Sequence, residues 1–258
     1  MSAPVFVSAI ASDAVEGDVV TLTGGEARHA ATVQRRVAGE IIEVVDGHGR
    51  RVRGAIVGVR VDELDVLVDA VSTDADGSIT LVQALAKGGR DELAIETATE
   101  LGVTRVVPWG SERSIVQWRG PKVAKAQAAW ESTVLAAAKQ ARRAFVPVVA
   151  DLVTTKELVT LVGAAVGSGE RVLVLHEGAT TPLVNLRWTV EHQAVWLVVG
   201  PEGGISDNEI GALVGAGAES VRLGPHVLRA STAGAAAIAA LAAVRGDWAA
   251  ASGDKRNP

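Results

Sequence analysis

Cysteine is absent from all 258 residues, which excludes disulfide staples, thiolate zinc sites, iron–sulfur clusters and cysteine nucleophiles. No apolar run reaches the ~18 residues that span a bilayer, and charge interrupts every long one. The first residues, Met1-Ser2-Ala3-Pro4-Val5-Phe6, show neither a basic n-region nor an apolar h-region, so a cytoplasmic protein is expected. A general excess of positive charge is also missing, since the net charge is −5, which argues against a uniformly basic nucleic-acid binder. Neither a G-x-x-x-x-G-K-[ST] P-loop nor a G-x-G-x-x-G fingerprint occurs; Gly47-His48-Gly49, Gly167-Ser168-Gly169 and Gly215-Ala216-Gly217 all lack the final glycine. The histidines His29, His48, His176, His192 and His226 show no metal-ligand spacing, so no metal is expected.

What is present is an ordinary globular composition, 48% apolar and 21% charged, with enough length for one or two domains and a large core. The cations are segregated. From 113 to 143 the chain carries Arg113, Arg119, Lys122, Lys125, Lys139, Arg142 and Arg143 against the single anion Glu131, a net +6 inside an acidic chain. Smaller clusters are Arg28, His29, Arg35 and Arg36, and Arg50, Arg51 and Arg53. Each could be a solvated face; three of them together describe a segregated field.

Residues 1–72 read as short β-branched strands at Asp18–Leu22, Glu40–Val45, Val52–Val57 and Asp65–Val68, separated by turns such as Asp46-Gly47-His48-Gly49 and interrupted by one helical patch at Gly25–Val37. A compact β-barrel-like domain is the economical reading. The polar stretch 73–78, Thr-Asp-Ala-Asp-Gly-Ser, is the expected linker. From Ile79 the rhythm becomes strand, loop, helix. Ile79–Leu85 is a strand, Lys87–Arg90 a loop, Asp91–Leu101 a helix capped by Gly102, and Val103–Pro108 a strand. A long helix is expected from Pro121 to Phe145, then strands at Arg171–Leu175, Ala194–Val199 and Glu219–Leu223, and an Ala-rich helix at Ala233–Val244. Such alternation argues for a parallel α/β sheet covered on both faces in the domain 79–258.

Three loops follow the last strands. In Gly200-Pro201-Glu202-Gly203-Gly204-Ile205-Ser206, the spacing of Ser206 and Glu209 is that of a capping box, so the helix starts near Ser206 and the elbow-like Gly204–Asn208 stretch is better explained as a cap than as a nucleophile site. The glycines either admit a ligand close to the backbone or serve a tight turn. The second loop is Leu223-Gly224-Pro225-His226-Val227-Leu228-Arg229 and the third His176-Glu177-Gly178. Lying at one end of neighbouring strands, they would form a pocket.

Taken with Lys87-Gly88, Thr99-Glu100-Leu101-Gly102-Val103 and the Trp-containing basic segment ending Gln140-Ala141-Arg142-Arg143-Ala144-Phe145-Val146-Pro147, these loops resemble the RsmE family, the 16S rRNA (uracil-N3)-methyltransferases of the SPOUT superfamily. The resemblance runs in order along essentially the whole chain. It implies a PUA-like RNA-binding β-barrel in front of a trefoil-knotted α/β methyltransferase domain, a homodimer, S-adenosyl-L-methionine as cofactor, and 16S rRNA or the small ribosomal subunit as partner. By motif match, Leu175, His176, Glu177, Gly200, Pro201, Glu202, Gly203, Gly204, Leu223, Gly224 and Leu228 would line the cofactor pocket. Arg229 would face the reacting centre, and Glu202 and His226 are the pocket candidates for a base. RNA would be held by Arg28, His29, Arg35, Arg36, Lys87, Arg90, Arg113, Lys139, Arg142 and Arg143. The last loop departs from the family's Arg-x-Leu-Arg-Thr-Glu-Thr, reading His226-Val227-Leu228-Arg229-Ala230-Ser231-Thr232. Two rival readings remain. A non-catalytic RNA-binding assembly factor would explain the altered loop, and a small-molecule enzyme would use helix N-termini as anion sites but leave the basic segment unexplained.

Overall fold

The computed structural model describes residues 3–188 and 194–248; His192 and residues 249–258 of the expected second domain lie outside them. The chain forms two compact units, one running through Asp76 and including Ala138–Val146, the other holding Gly77–Ala137 and the chain from Pro147.

The first unit contains β1 (Val5–Val7), β2 (Val19–Thr23), α1 (Gly24–Arg28) continued by a π-helical turn at His29–Val33, β3 (Ile41–Val45), β4 (Arg50–Val59) and β5 (Glu63–Thr73). Its curled sheet has the order β1-β3-β4-β5-β2, antiparallel except for the β1–β3 pair. Register shifts in β4 at Arg53/Gly54 and Ile56/Gly58 are bulges that bend the strand and let the sheet curl. Alternate residues point inward, so Val52 and Ile56 of β4 and Leu64, Val66 and Val68 of β5 meet Phe6, Leu22, Ile42 and Val44 in one apolar core. Residues 138–146, which the sequence reading assigned wholly to the second domain, complete this unit. Phe145 is the reason: Gly49 leaves room for its ring, which any Cβ at that position would strike. The Gly49 N–H donates to the Ala144 carbonyl at 3.1 Å and the Val146 N–H to the Gly47 carbonyl at 2.9 Å. Of the expected linker, Thr73 ends β5 and Ser78 opens the next strand, while residues 74–77 between them carry no regular secondary structure.

The second unit contains β6 (Ser78–Ala84), α2 (Arg90–Glu100), β7 (Arg105–Gly110), α3 (Lys122–Gln140), β8 (Val148–Val149), β9 (Val153–Thr154), α4 (Thr155–Gly167), β10 (Arg171–Leu175), β11 (Ala194–Val199), α5 (Asp207–Gly215), β12 (Glu219–Val221) and α6 (Ala230–Arg245). The sheet is parallel, in the order β12-β10-β11-β6-β7-β8, with β9 also paired to β7. Its central strand β6 is buried without interruption from Ile79 to Ala84, as a strand covered on both faces must be. Val82, Val107, Trp109, Val174 and Val198 share a core cluster with Leu158 and Val162 of α4 and Leu213 of α5. Ala-rich α6 packs so tightly that a Cβ on Gly234 would lie 3.0 Å from Leu81 Cδ1.

Strands β1, β8 and β9 were not anticipated, and two helices also differ from expectation. The helix expected to reach Phe145 ends at Gln140, because Arg142 turns left-handed (φ 56°) and the Arg143 N–H closes on the Ala138 carbonyl at 2.9 Å. Helix α4 was not anticipated, although Thr154 and Glu157 form the same kind of capping box as Ser206 and Glu209.

Candidate functional site

Strands β12, β10 and β11 are neighbours in the parallel sheet, so the loops that leave their carboxyl ends converge. Between them lies a pocket of about 630 Å³. All eleven residues expected to line a cofactor site border it, from Leu175, His176 and Glu177, through Gly200–Gly204, to Leu223, Gly224 and Leu228. His226, Arg229, Arg90 and Arg113 also line it, as do Arg222, Asp207 and the first turn of α6, which sequence reasoning missed. Arg222 follows β12 directly, and its backbone pairs with 181–183, the Arg222 N–H donating to the Thr181 carbonyl and the Leu183 N–H to the Arg222 carbonyl, each at 2.9 Å. Its position just before Leu223 was the available signal.

The glycines of the β11 loop answer first to the loop itself. A Cβ at Gly200 would lie 2.5 Å from Ile205 Cγ1, and one at Gly203 would lie 3.2 Å from Arg113 Cβ. Gly204 turns at φ +73°, with its N–H donating to the Pro201 carbonyl at 2.9 Å. Gly224 differs, since a Cβ there would meet nothing within 4 Å. Among the described residues, the N–H groups of Gly224 and Leu228 donate to no protein group, leaving two backbone donors beside apolar Leu223 and Leu228.

Glu202 is tethered. Its carboxylate accepts from the Lys87 N–H at 3.2 Å and from Arg90 Nη1 at 3.0 Å. Burial pushes its carboxyl up, but hydrogen bonds from its own backbone, from Lys87 and from Arg90 outweigh this and hold it below the usual range. Such a carboxylate is a poor proton acceptor and a good loop anchor. Arg113 donates to the Gly203 carbonyl at 3.2 Å. Arg229 is the N-cap residue of α6, and among the described residues its exposed side chain, like that of Arg222, forms no ion pair.

A second residue organises this loop. Glu209, 3% exposed, accepts from the Ser206 N–H at 3.1 Å, the Glu112 N–H at 2.8 Å and the Thr155 hydroxyl at 2.7 Å. One buried carboxylate therefore ties the glycine loop, the Arg113 loop and the start of α4 together. The capping box gave away only its local role.

Known proteins add the decisive observation. The RNA methyltransferase domain family matches residues 73–242, about two thirds of the chain. The ribosomal RNA small subunit methyltransferase E of Mycobacterium tuberculosis is 41% identical over 243 residues, covering 92% of this chain and 91% of that one. The chain belongs to the ribosomal RNA small subunit methyltransferase E family. Another relative of that name, from Bacillus subtilis, is 25% identical over 247 residues, covering 92% of this chain and 94% of its own. Among solved structures, the family's Neisseria gonorrhoeae enzyme bound to S-adenosyl methionine has a TM-score of 0.84 at 29% identity, covering 94% of this chain and 98% of that one. A Legionella pneumophila methyltransferase in complex with the same cofactor has a TM-score of 0.81 at 26% identity, with coverage of 94% and 98%. The architecture is thus that of the family's methyltransferase, a parallel-sheet α/β domain preceded in the chain by a curled, barrel-like β domain. Among the described residues no helix is long and apolar enough to cross a membrane, and no group of three His, Cys, Asp or Glu side chains could hold a metal ion.

The cations expected at RNA in this methyltransferase divide into two kinds. Lys87, Arg90 and Arg113 belong to the second unit and serve the pocket loops, Lys87 through its backbone. In the first unit, Arg28 pairs with Asp62 at 2.9 Å, Arg36 with Glu40 at 3.6 Å, and Lys139 with Glu26 at 2.6 Å. His29 lies 3.0 Å from Gln34 Nε2 and edge-on to Phe6. Arg143 pairs with Asp76 at low exposure. Arg35 and Arg142 remain exposed, and among the described residues they alone outside glycine hold positive φ, 54° and 56°.

Proposed function

We propose that this enzyme transfers a methyl group from S-adenosyl-L-methionine to N3 of a uridine in 16S rRNA of the small ribosomal subunit. The observation that carries the reading is the convergence of three loops, all bearing the family's motif residues, on one pocket of about 630 Å³ at the carboxyl end of a parallel sheet. The pocket suits such a cofactor on its own features, with two unengaged backbone donors, apolar Leu175, Val199, Leu223 and Leu228, and open space above Gly224. Gly224 and Leu228 would read polar edges through backbone N–H groups, while the leucines would enclose the ring. When bound, the cofactor would supply an electrophilic methyl group on a sulfonium, with the neutral thioether S-adenosylhomocysteine as the leaving group.

Uracil N3 carries a proton at neutral pH, so the protein must favour the anionic ring. Arg229, which lines the pocket and like Arg222 forms no ion pair among the described residues, would stabilise that anion. His226, which also lines the pocket, is the remaining base candidate, since Glu202 is committed to Lys87 and Arg90. N3 is paired in duplex RNA, so the target must be unpaired or flipped out. Arg35 and Arg142 are the phosphate contacts this reading favours in the first unit, with Arg143, Lys139, Arg28 and Arg36 acting mainly as structural ion pairs. Action in the cytoplasm on the small subunit, as a homodimer with a PUA-like front domain, belongs to the same proposal.

The test supplies labelled S-adenosyl-L-methionine and small subunits from cells lacking this modification, followed by mass spectrometry of the nucleosides. One N3-methyluridine per subunit is expected. Absence of label would favour a non-catalytic assembly factor, and label on another atom would refute the assignment.

A further inference from the structure

A second, smaller cleft lies in the same unit on the other side of the Lys87–Arg90 loop. It has a volume of about 230 Å³ and is bordered by Gly88, Gly89, Asp91, Glu92, Trp118 and Trp130. Trp130 is 1% exposed and Trp118 is half-buried, their ring centroids 5.2 Å apart at 84°. Among the described residues, no lysine or arginine borders the cleft. Asp91, 6% exposed, is held by the N–H groups of Ala86 at 3.4 Å and Glu92 at 3.1 Å, and burial keeps its carboxyl above the usual range despite those bonds.

These features select a ligand. The rim carries the Asp91 and Glu92 carboxylates and, among the described residues, no lysine or arginine, which disfavours phosphates and carboxylates and favours ligands that offer N–H donors. A half-exposed indole favours a flat ring. The volume suits a single base and excludes a longer stretch of chain. Amino and imino edges of nucleobases offer the matching donors, and carboxylates are established acceptors for cytosine N4. Continuity supplies the last constraint. Arg90 borders the large pocket while the next residue, Asp91, borders the cleft, so one loop separates two sites that successive nucleotides of one strand could fill. Arg119, exposed and next in sequence to Trp118, is available to the backbone phosphate between them.

We propose that this cleft receives an unpaired base of the substrate RNA flanking the target uridine, stacked on Trp118 with its N–H edge toward Asp91 and Glu92. The inference rests on the large pocket being the methyl-transfer site. Sequence reasoning could not reach it, because Trp118 lies in a loop without periodicity and meets Gly88 and Gly89 only in the folded chain.

The experiment compares wild type, Trp118→Phe and Trp118→Leu on under-modified small subunits, with S-adenosyl-L-methionine affinity measured calorimetrically in each. Loss of base stacking should raise KM for the subunit by about 10- to 100-fold in Trp118→Leu. The Phe variant should stay within a few-fold of wild type, and cofactor affinity should be unchanged in both. An unchanged KM in a folded Trp118→Leu protein would overturn the inference, as would a Phe variant no better than Leu. Should Trp118→Leu fail to fold, wild-type enzyme is photocrosslinked to subunits whose rRNA carries 5-iodopyrimidines. An RNA adduct on the peptide Ser114–Arg119 supports the site, and its absence or a crosslink there to a ribosomal protein refutes it. Failure of the wild-type chain to methylate the subunit would remove the underlying reading and the inference with it, an outcome distinct from methylation insensitive to Trp118.

Discussion

Gly200→Ala isolates the physical basis of the glycine loop. The new Cβ would sit 2.5 Å from Ile205 Cγ1, 3.3 Å from the Ile205 nitrogen and 3.4 Å from its Cδ1. Carbon atoms rest at about 3.5–4.0 Å, so the contact is short by about 1 Å. Ile205 cannot yield freely, since it is 4% exposed and belongs to the core cluster beneath the sheet. Overpacking of this kind costs about 1–3 kcal/mol. The severe part of the clash is with the Ile205 side chain, so most of the cost should vanish when that side chain is shortened. In an Ile205→Ala background, itself destabilised by about 2–5 kcal/mol through its cavity, adding Gly200→Ala should cost less than about 1 kcal/mol. Urea unfolding followed by circular dichroism measures all four corners of the cycle, and calorimetry should show cofactor affinity lost in Gly200→Ala and largely regained in the double variant. Strictly additive stabilities would refute the reasoning and mean that Gly200 is required by the ligand rather than by Ile205.

Four further outcomes rest on the site and the charge pairs. Glu209→Gln turns one acceptor oxygen into a donor facing backbone N–H groups, which should cost about 1–3 kcal/mol of stability and weaken cofactor binding by loosening the Arg113 and glycine loops together; a folded variant with wild-type calorimetric affinity would show that the clamp is dispensable. Arg142→Gly relieves a left-handed backbone and should leave stability within about 1 kcal/mol of wild type while lowering RNA affinity and its salt slope. Arg143→Ala breaks the Asp76 pair, whose side chains are 11% and 17% exposed, and should destabilise by roughly 2 kcal/mol with little change in salt slope; thermal melts and filter binding over a salt series separate the two arginines. Glu202, with its carboxyl depressed, contributes its loop contact above the ordinary carboxylate range and loses it only as pH falls through the lowered value. Cofactor affinity should therefore be flat from neutrality down to that range, then fall in wild type but not in Glu202→Gln. A drop near pH 7 that Glu202→Gln abolishes would restore Glu202 as a base.

Local pattern carried much of this protein. Short β-branched stretches between turn residues marked most strands of the first unit, the strand–loop–helix rhythm from Ile79 announced a parallel sheet covered on both faces, and Ser206 with Glu209 set the start of α5, because each depends on residues close together in the chain. The order of the loop motifs likewise led to the pocket, since residues after successive parallel strands must emerge at one end of a sheet. What depends on distant partners was out of reach. Phe145 draws residues 138–146 into the first unit because Gly49 leaves it space, and nothing within either stretch says so. Lys139, Arg142 and Arg143 read alike as cations on one basic segment; Glu26 and Asp76, brought in by the fold, turn two of them into internal ion pairs and leave the third exposed. Glu209 reads as a helix cap until Thr155 and Glu112 close on its other oxygen. A sequence states which groups a chain owns and how each short stretch prefers to run; only packing decides which of those groups are spent on one another and which are left to meet a ligand.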